Sequence, residues 1–175
     1  MNDSPSPLLA DGTSPATART VLDRLRDLGI EASTADHPPV FTVEEAKALR
    51  GELEGAHTKN LFVRDKKGVM WLVVALEDSR VDLKELAGKL GLKRISFGSA
   101  DRLMKYLGVI PGAVTPFGVI NDHGGVVSVA LDRRMQDHDI WNFHPVDNAK
   151  TTTLRGEDMV RFLEAVDHAP TWVDL

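Results

Sequence analysis

The 175-residue chain has no cysteine, which removes disulfides, thiolate metal ligands and a thiol nucleophile together. No apolar run approaches the ~20 residues that span a bilayer. The opening MNDSPSPLLADGTSP lacks a basic stretch followed by an apolar one, so no secretory leader is read there. A cytoplasmic protein without membrane contact is expected. Equally absent are a GxxxxGK[ST] phosphate loop, a GxGxxG turn, an HExxH pair and a GxSxG elbow. These gaps leave no cofactor to expect. The six histidines are scattered, and no metal site is expected from them. Their densest neighbourhood, Asp137-His138-Asp139, reads as a polar turn before a strand; His123 reads as a turn residue and His57 as a loop residue.

Basic charge is also scarce, with a net charge of −5. That argues against a broad nucleic-acid-coating surface. The distribution is uneven, however. Lys84, Lys89, Lys93, Arg94, Arg102 and Lys105 face only Glu85 and Asp101 across residues 84–105, a local balance of +4. Solvated helix faces would explain this; so would a small patch that grips the phosphates of one RNA end.

Hydrophobic residues at 42% and charged residues at 27% fit one globular domain with a sizeable core. Residues 1–13, rich in Ser, Pro, Asp and Gly, are expected as a flexible tail ahead of a domain spanning 14–175. Ser14 and Pro15 read as a helix start, and Gly29 as its close. A short strand is expected over 30–36, stopped by His37-Pro38-Pro39. Thr42 and Glu45 form a capping-box pattern for a helix ending near Gly51. Two strands, 59–64 and 69–76, suit a hairpin across Asp65-Lys66-Lys67-Gly68. Helices are expected over 81–90 and 99–107 with a strand at 95–97 between them. A Gly/Pro-punctuated loop follows over 109–118. A second hairpin is expected from 117–120 and 126–131, then strands at 140–143 and 151–154 and a closing helix over 156–166. The mixture has no regular βαβ repeat, so the expected class is α+β around a mixed or antiparallel sheet.

Three segments carry chemistry. Lys59 and Asn60 enter a strand, where an ammonium can anchor a phosphate or a ribose hydroxyl. Gly112, Ala113, Val114, Thr115 and Pro116 form a loop in which glycine allows close backbone approach and proline stiffens the exit. Trp141 to Asn148, leading into Thr151-Thr152-Thr153, sets polar groups beside aromatics. Each alone also reads as an ordinary strand entry, turn or capped loop.

In order, HPPVFTVEEA, HTKNLFVRD, GVIPGAVTPFGVIND and NFHPVDNAKTTTL resemble the bacterial prolyl-tRNA editing-domain superfamily from about residue 20 onward. Within it the chain is most similar to the stand-alone alanyl-tRNA(Pro) deacylases, relatives of the editing insertion of prolyl-tRNA synthetases. The resemblance implies a single α+β domain with a curved, mixed, mostly antiparallel sheet flanked by helices. It implies a trans-editing ester hydrolase whose partner is the acceptor end of mischarged tRNA(Pro), with passing contact to prolyl-tRNA synthetase or an elongation factor, and no DNA.

By the same resemblance, Lys59 contacts the terminal adenosine and its phosphate, with Asn60 assisting. The 112–116 loop holds the aminoacyl group through its main chain, the Gly112 and Ala113 amides facing the oxyanion. His144 lines the amino-acid pocket, as a base or as a wall. Asn148, Thr152 and His37 are weaker carry-overs. Lys93, Arg94, Arg102 and Lys105 are expected to touch tRNA. The substrate's own 2′-hydroxyl is expected to help activate water. Cysteinyl- or seryl-tRNA as substrate, or a non-catalytic tRNA-binding module on the same fold, remain alternatives.

Overall fold

The computed structural model describes residues 5–39, 42, 44 and 53–175. The capping box at Thr42 and Glu45, with the helix it would open, lies outside the described residues apart from Thr42 and Glu44. Helix α1 (Ala18–Asp27) starts at Thr17, not at Ser14. Thr17 Oγ1 accepts from the Thr20 amide at 3.3 Å, and Thr20 Oγ1 accepts from the Thr17 amide at 3.2 Å, closing a reciprocal cap. Pro15 precedes this cap because the Ala16 amide is drawn to Asn121 Oδ1 at 2.8 Å. Part of the segment expected as a loose tail is packed: Leu9 is buried and the Ala10 amide donates to Lys105 O at 2.8 Å.

Strand β1 (Ala32–Asp36) is followed by β2 (Ala56–Asp65) and β3 (Met70–Leu76), an antiparallel hairpin as expected. Then come α2 (Leu83–Lys89), β4 (Ile95–Phe97) and α3 (Ala100–Leu107). The second expected hairpin does not form. Residues Pro116–Asn121 make a 3-10 helix capped by Thr115. Pro116 has no amide to give a ladder, and Gly118 lies so close to Leu107 that a Cβ there would sit 2.9 Å from its carbonyl oxygen. Strand β5 (Val127–Asp132) instead joins β3 in parallel. A second 3-10 helix, Arg133–Asp137, leads to β6 (Ile140–Phe143), β7 (Lys150–Arg155), α4 (Gly156–Ala165) and a short β8 (Thr171–Val173). No alternation marks β8 in the sequence.

The strands run in the order β1-β7-β6-β2-β3-β5-β8, with β4 also paired to β2. Pairs β2–β6, β3–β5 and β5–β8 are parallel and the rest antiparallel, a mixed α+β sheet. Alternation along β2 and β3 divides the interior. Phe62, Leu72 and Val74 join a large core with α1, α3, α4 and the first 3-10 helix. Val63 and Val73 join a smaller core with α2, β4 and β8. Among the described residues, no helix is long and apolar enough to cross a membrane.

Candidate active site

The site forms where the sheet comes apart. β2 and β6 run parallel but pair only at Ala56–Trp141 and His57–Asn142. Two residues beyond the last pair stand Lys59, within β2, and His144, just past the end of β6. Side chains two apart share a face, so both continue the row of His57 and Asn142 at the mouth of the opening seam. The odd residues of β2 belong to the smaller-core side, since Val63 packs there.

His144 is the better defined of the two. Its Nδ1–H donates to Lys150 O at 2.7 Å, which fixes the tautomer and leaves Nε2 as an acceptor. Burial lowers its pKa below the usual histidine value, helped by nearby His37 and opposed by the Lys150 carbonyl and Asp147. It is therefore a neutral imidazole at pH 7. The His37 ring centroid lies 6.0 Å away. His37 Nδ1 meets Pro38 O at 2.9 Å and its Nε2 meets Thr151 Oγ1 at 2.8 Å. Thr151 thus takes the place expected of Thr152. Thr152 pairs with Phe143 on the other face, fully buried, with its hydroxyl on Thr34 Oγ1 at 2.8 Å.

Lys59 Nζ donates to Ser79 O. Ser79 is held in turn by two residues that no local motif announces. Asp132, fully buried at the end of β5, accepts from Arg134 Nη2 at 3.0 Å and from Arg134 Nε at 3.3 Å, one bond to each carboxylate oxygen. Arg134 also donates to Ser79 Oγ, whose own hydroxyl lies 3.4 Å from Asp132. The network borders a cavity of about 310 Å³ lined by His57, Glu77, Ser79, Arg134 and His138 among others. Ser79 and Asp132 are 53 positions apart, so only the fold unites them.

Asn60 points the other way, toward the large core, beside its cross-strand partner Val74. Its Nδ2 makes one long bond to Thr58 Oγ1 at 3.4 Å, and its buried Oδ1 has no hydrogen-bond partner among the described residues. The 112–116 loop packs on this same side through Ala113 and Val114. Gly112 has φ +91°, a conformation only glycine takes without strain. The Ala113 amide donates to Ile110 O at 3.0 Å and is committed to that turn. Thr115 Oγ1 is likewise occupied, accepting from the Phe117 amide at 3.3 Å, and Pro116 is buried. Of the two amides expected to face an oxyanion, only that of Gly112 has no backbone acceptor among the described residues. Asn148 is buried and lines a cavity of about 340 Å³ with Ala113, Ile110 and Val146. Val146 sits at φ 55°, strained for a β-branched residue, in the turn that follows His144.

Lys59 and the loop therefore flank the sheet from opposite faces. They can meet only across the seam that β2 and β6 leave open. The four expected tRNA contacts lie elsewhere. Lys93 and Arg94 are exposed just before β4, Arg102 Nη1 reaches Met70 Sδ at 3.8 Å, and Lys105 is paired to Asp101 at 3.1 Å.

Residues 37–162 match the family described as "Aminoacyl-tRNA editing domain". The chain is 40% identical over 148 residues to the prolyl-tRNA editing protein ProX of Acetoanaerobium sticklandii, covering 84% of this chain and 90% of that one. It is 38% identical over 161 residues to the prolyl-tRNA synthetase associated domain-containing protein 1 of Bos taurus, covering 89% and 94%. A solved structure described as a candidate trans-editing enzyme for prolyl-tRNA synthetase superposes with a TM-score of 0.70 at 19% identity, covering 90% and 95%. That likeness carries the fold. With the family match spanning most of the chain and the relatives matched over nearly their whole length, this protein belongs to the aminoacyl-tRNA editing domain family.

Proposed function

We propose that the chain is a free-standing deacylase that hydrolyses the ester of mischarged alanyl-tRNA(Pro) in the cytoplasm. Family membership supports an aminoacyl-tRNA ester hydrolase. The observation that carries the finer reading is the position of Lys59 and neutral His144, each two residues beyond the last β2–β6 pair, His57–Asn142. In this reading the aminoacyl end enters the seam. The Lys59 ammonium has three protons and spends one on Ser79 O, so the others serve the terminal phosphate. Asn60 Oδ1, a buried acceptor with no donor among the described residues, accepts a hydrogen bond from the substrate's ammonium or a ribose hydroxyl. That would relieve a cost of about 1–3 kcal/mol.

The Gly112 amide stabilises the oxyanion from the opposite side. His144 Nε2 accepts from the attacking water or from the 2′-hydroxyl that orients it. An aminoacyl ester is already activated, so positioning supplies most of the rate. Exclusion of a larger amino acid follows from clash, whereas one missing methylene is worth only about 1–3 kcal/mol.

The test is side-by-side deacylation of labelled alanyl-, cysteinyl-, seryl- and prolyl-tRNA by wild type and Lys59→Ala. Alanyl-tRNA(Pro) should be cleared fastest, prolyl-tRNA left intact, and Lys59→Ala slowed about 100-fold or more (~2.7 kcal/mol). Preference for cysteinyl- or seryl-tRNA would redirect the substrate assignment. A wild-type protein that binds these tRNAs and hydrolyses none would be a binding module.

A further inference from the structure

The 112–116 loop is part of a longer excursion that starts where α3 ends and returns at the last residue of the first 3-10 helix. Its two feet, Leu107 and Asn121, are 14 positions apart and meet through one side chain: Asn121 Nδ2 donates to Leu107 O at 2.8 Å. Leu107 is the last residue of α3, so its carbonyl has no partner within that helix. Asn121 is buried, and a buried donor and acceptor parted from each other would each be left unsatisfied. Residues 108–120 are thereby closed into a compact loop whose ends touch. Only glycine fits beneath this clasp. A Cβ on Gly108 would lie 2.3 Å from Asn121 Nδ2, and Gly108 also takes the left-handed φ of +65° that ends α3.

The other half of the Asn121 carboxamide faces a distant stretch of chain. Its Oδ1 accepts from the Ala16 amide at 2.8 Å, 105 positions away, just ahead of the Thr17 cap of α1. The residues before Ala16 grip the same base from outside. Leu9 is buried, the Ala10 amide donates to Lys105 O at 2.8 Å, and Asp11 Oδ2 meets His123 Nδ1 at 2.5 Å. One buried carboxamide thus joins the approach to α1, the end of α3 and the exit of the loop. The cavity that holds Ala113 and Asn148 has Thr17 and Ala18 on its α1 side and Gly108 and Ile110 on its loop side. The Ala16–Asn121 bond sets those two walls against each other.

We propose that Asn121 is a positioning residue: it seats the loop so that the Gly112 amide faces the seam, and segment 9–16 is the strap that keeps the clasp shut. The inference rests on the deacylase reading and adds to it a cause for the loop's placement. Asn121 acts through the loop and touches neither ester nor water. The bonds inside the loop do not replace it. Ala113 to Ile110 O, Gly118 to Thr115 O and Phe117 to Thr115 Oγ1 are all local; they shape the turns and leave the feet untied.

The experiment compares wild type with Asn121→Asp and with Leu9→Ala/Asp11→Ala. At neutral pH the carboxylate of Asn121→Asp keeps an acceptor for Ala16 and has no donor for Leu107 O; the double variant releases the strap and leaves Asn121 in place. Thermal unfolding sets a temperature at which each is folded, and the double variant, which buries no new charge, carries the test if Asn121→Asp does not fold. Hydrogen exchange read by mass spectrometry compares residues 108–120 with β2 and β3, and hydrolysis of alanyl-tRNA(Pro) gives kcat and KM. Asn121→Asp should speed exchange in 108–120 about tenfold or more while β2 and β3 stay protected. Its kcat should fall about tenfold with KM within about twofold, because the oxyanion exists only on the way through the transition state. The strap variant should move both readouts the same way to a smaller extent. Loop exchange at the wild-type rate overturns the inference, and so does a kcat that holds while the loop loosens. Exchange that rises equally in β2 and β3 also overturns it, since Asn121 would then support the fold at large. If wild type hydrolyses no charged tRNA and the loop still loosens, the clasp stands and the deacylase reading falls.

Discussion

At the scale of single residues, neighbours in sequence need not be neighbours in a site. Lys59 and Asn60 form one motif, yet strand alternation sends them to opposite faces. Thr152 was expected in the pocket, and Thr151 is the one that meets His37. Which of two adjacent threonines faces the site depends on the β6–β7 register, Phe143 against Thr152, and no local pattern reveals a register. His144 was legible by resemblance, but its protonation state was not, because burial and the Lys150 carbonyl come from tertiary structure. A prediction follows. Burial holds the pKa of His144 below 6.5. kcat/KM should therefore keep its plateau to below pH 6.5 and fall only as the ring protonates. His144→Ala should lower the plateau and abolish that acid limb; a profile with an unchanged limb would show that another group sets it.

Ser79, Asp132 and Arg134 were invisible in the sequence for the same reason, since they hold Lys59 through a chain of contacts. Asp132→Asn keeps the shape but takes one acceptor charge from Arg134 and loosens the Ser79 turn. Turnover of alanyl-tRNA should drop about tenfold (~1.4 kcal/mol). In a Lys59→Ala background the same change should add almost nothing, the signature of residues acting through one group. Full additivity would detach the network from Lys59.

At the scale of elements, most helices and strands were readable from periodicity and caps. The failures share a cause. The 117–120 segment has strand-like composition, but Pro116, the Thr115 cap and the close approach of Gly118 to Leu107 turn it into a 3-10 helix. The seam itself, a parallel pair that stops after two residues, has no sequence signature. Its β6 side depends on a glycine. A Cβ built on Gly156, at the start of α4, would lie 2.4 Å from Trp141 Cε2, and Trp141 is the residue that pairs with Ala56 at the seam's closed end. Gly156→Ala should therefore push the indole and with it β6. The expected cost is about 1–3 kcal/mol in stability, with deacylation lost beyond what unfolding explains. Retained Tm and activity would mean that β6 yields without disturbing the seam.

At the scale of the whole molecule, the candidate loop is tied to the far end of the chain by one buried ion pair. Asp122 follows the 3-10 helix that continues the 112–116 loop, and His168 lies in the turn between α4 and β8. They are 2% and 3% exposed, and His168 Nε2 meets Asp122 Oδ2 at 2.8 Å. Asp122 Oδ2 also accepts from the Val127 amide at 2.7 Å, at the entry to β5, and His168 Nδ1 donates to Val166 O at 2.6 Å. Burial works against both charges. For His168 the hydrogen bonds to Asp122 and Val166 O, with Asp167 nearby, overcome it and raise the pKa above 6.5. For Asp122 the His168 bond and the Val126 and Val127 amides overcome it and lower the pKa below 3.8.

The two shifts act at opposite ends of the pH scale. The His168 contribution is complete below 6.5 and fades as pH rises through its raised pKa; the Asp122 contribution is complete above 3.8 and fades on strong acidification. The tie is therefore tightest in mild acid and loosens toward alkaline pH. His168→Gln leaves a buried carboxylate without its cation and should cost about 3 kcal/mol near pH 6, roughly 10 °C in Tm for a domain of this size. The gap between the Tm curves of variant and wild type should narrow as pH rises above 6.5 and wild-type His168 loses its proton. A gap that is no wider in mild acid than at any higher pH would mean that a hydrogen bond, with no ion pair, fastens the loop side of the sheet to the C-terminal strand.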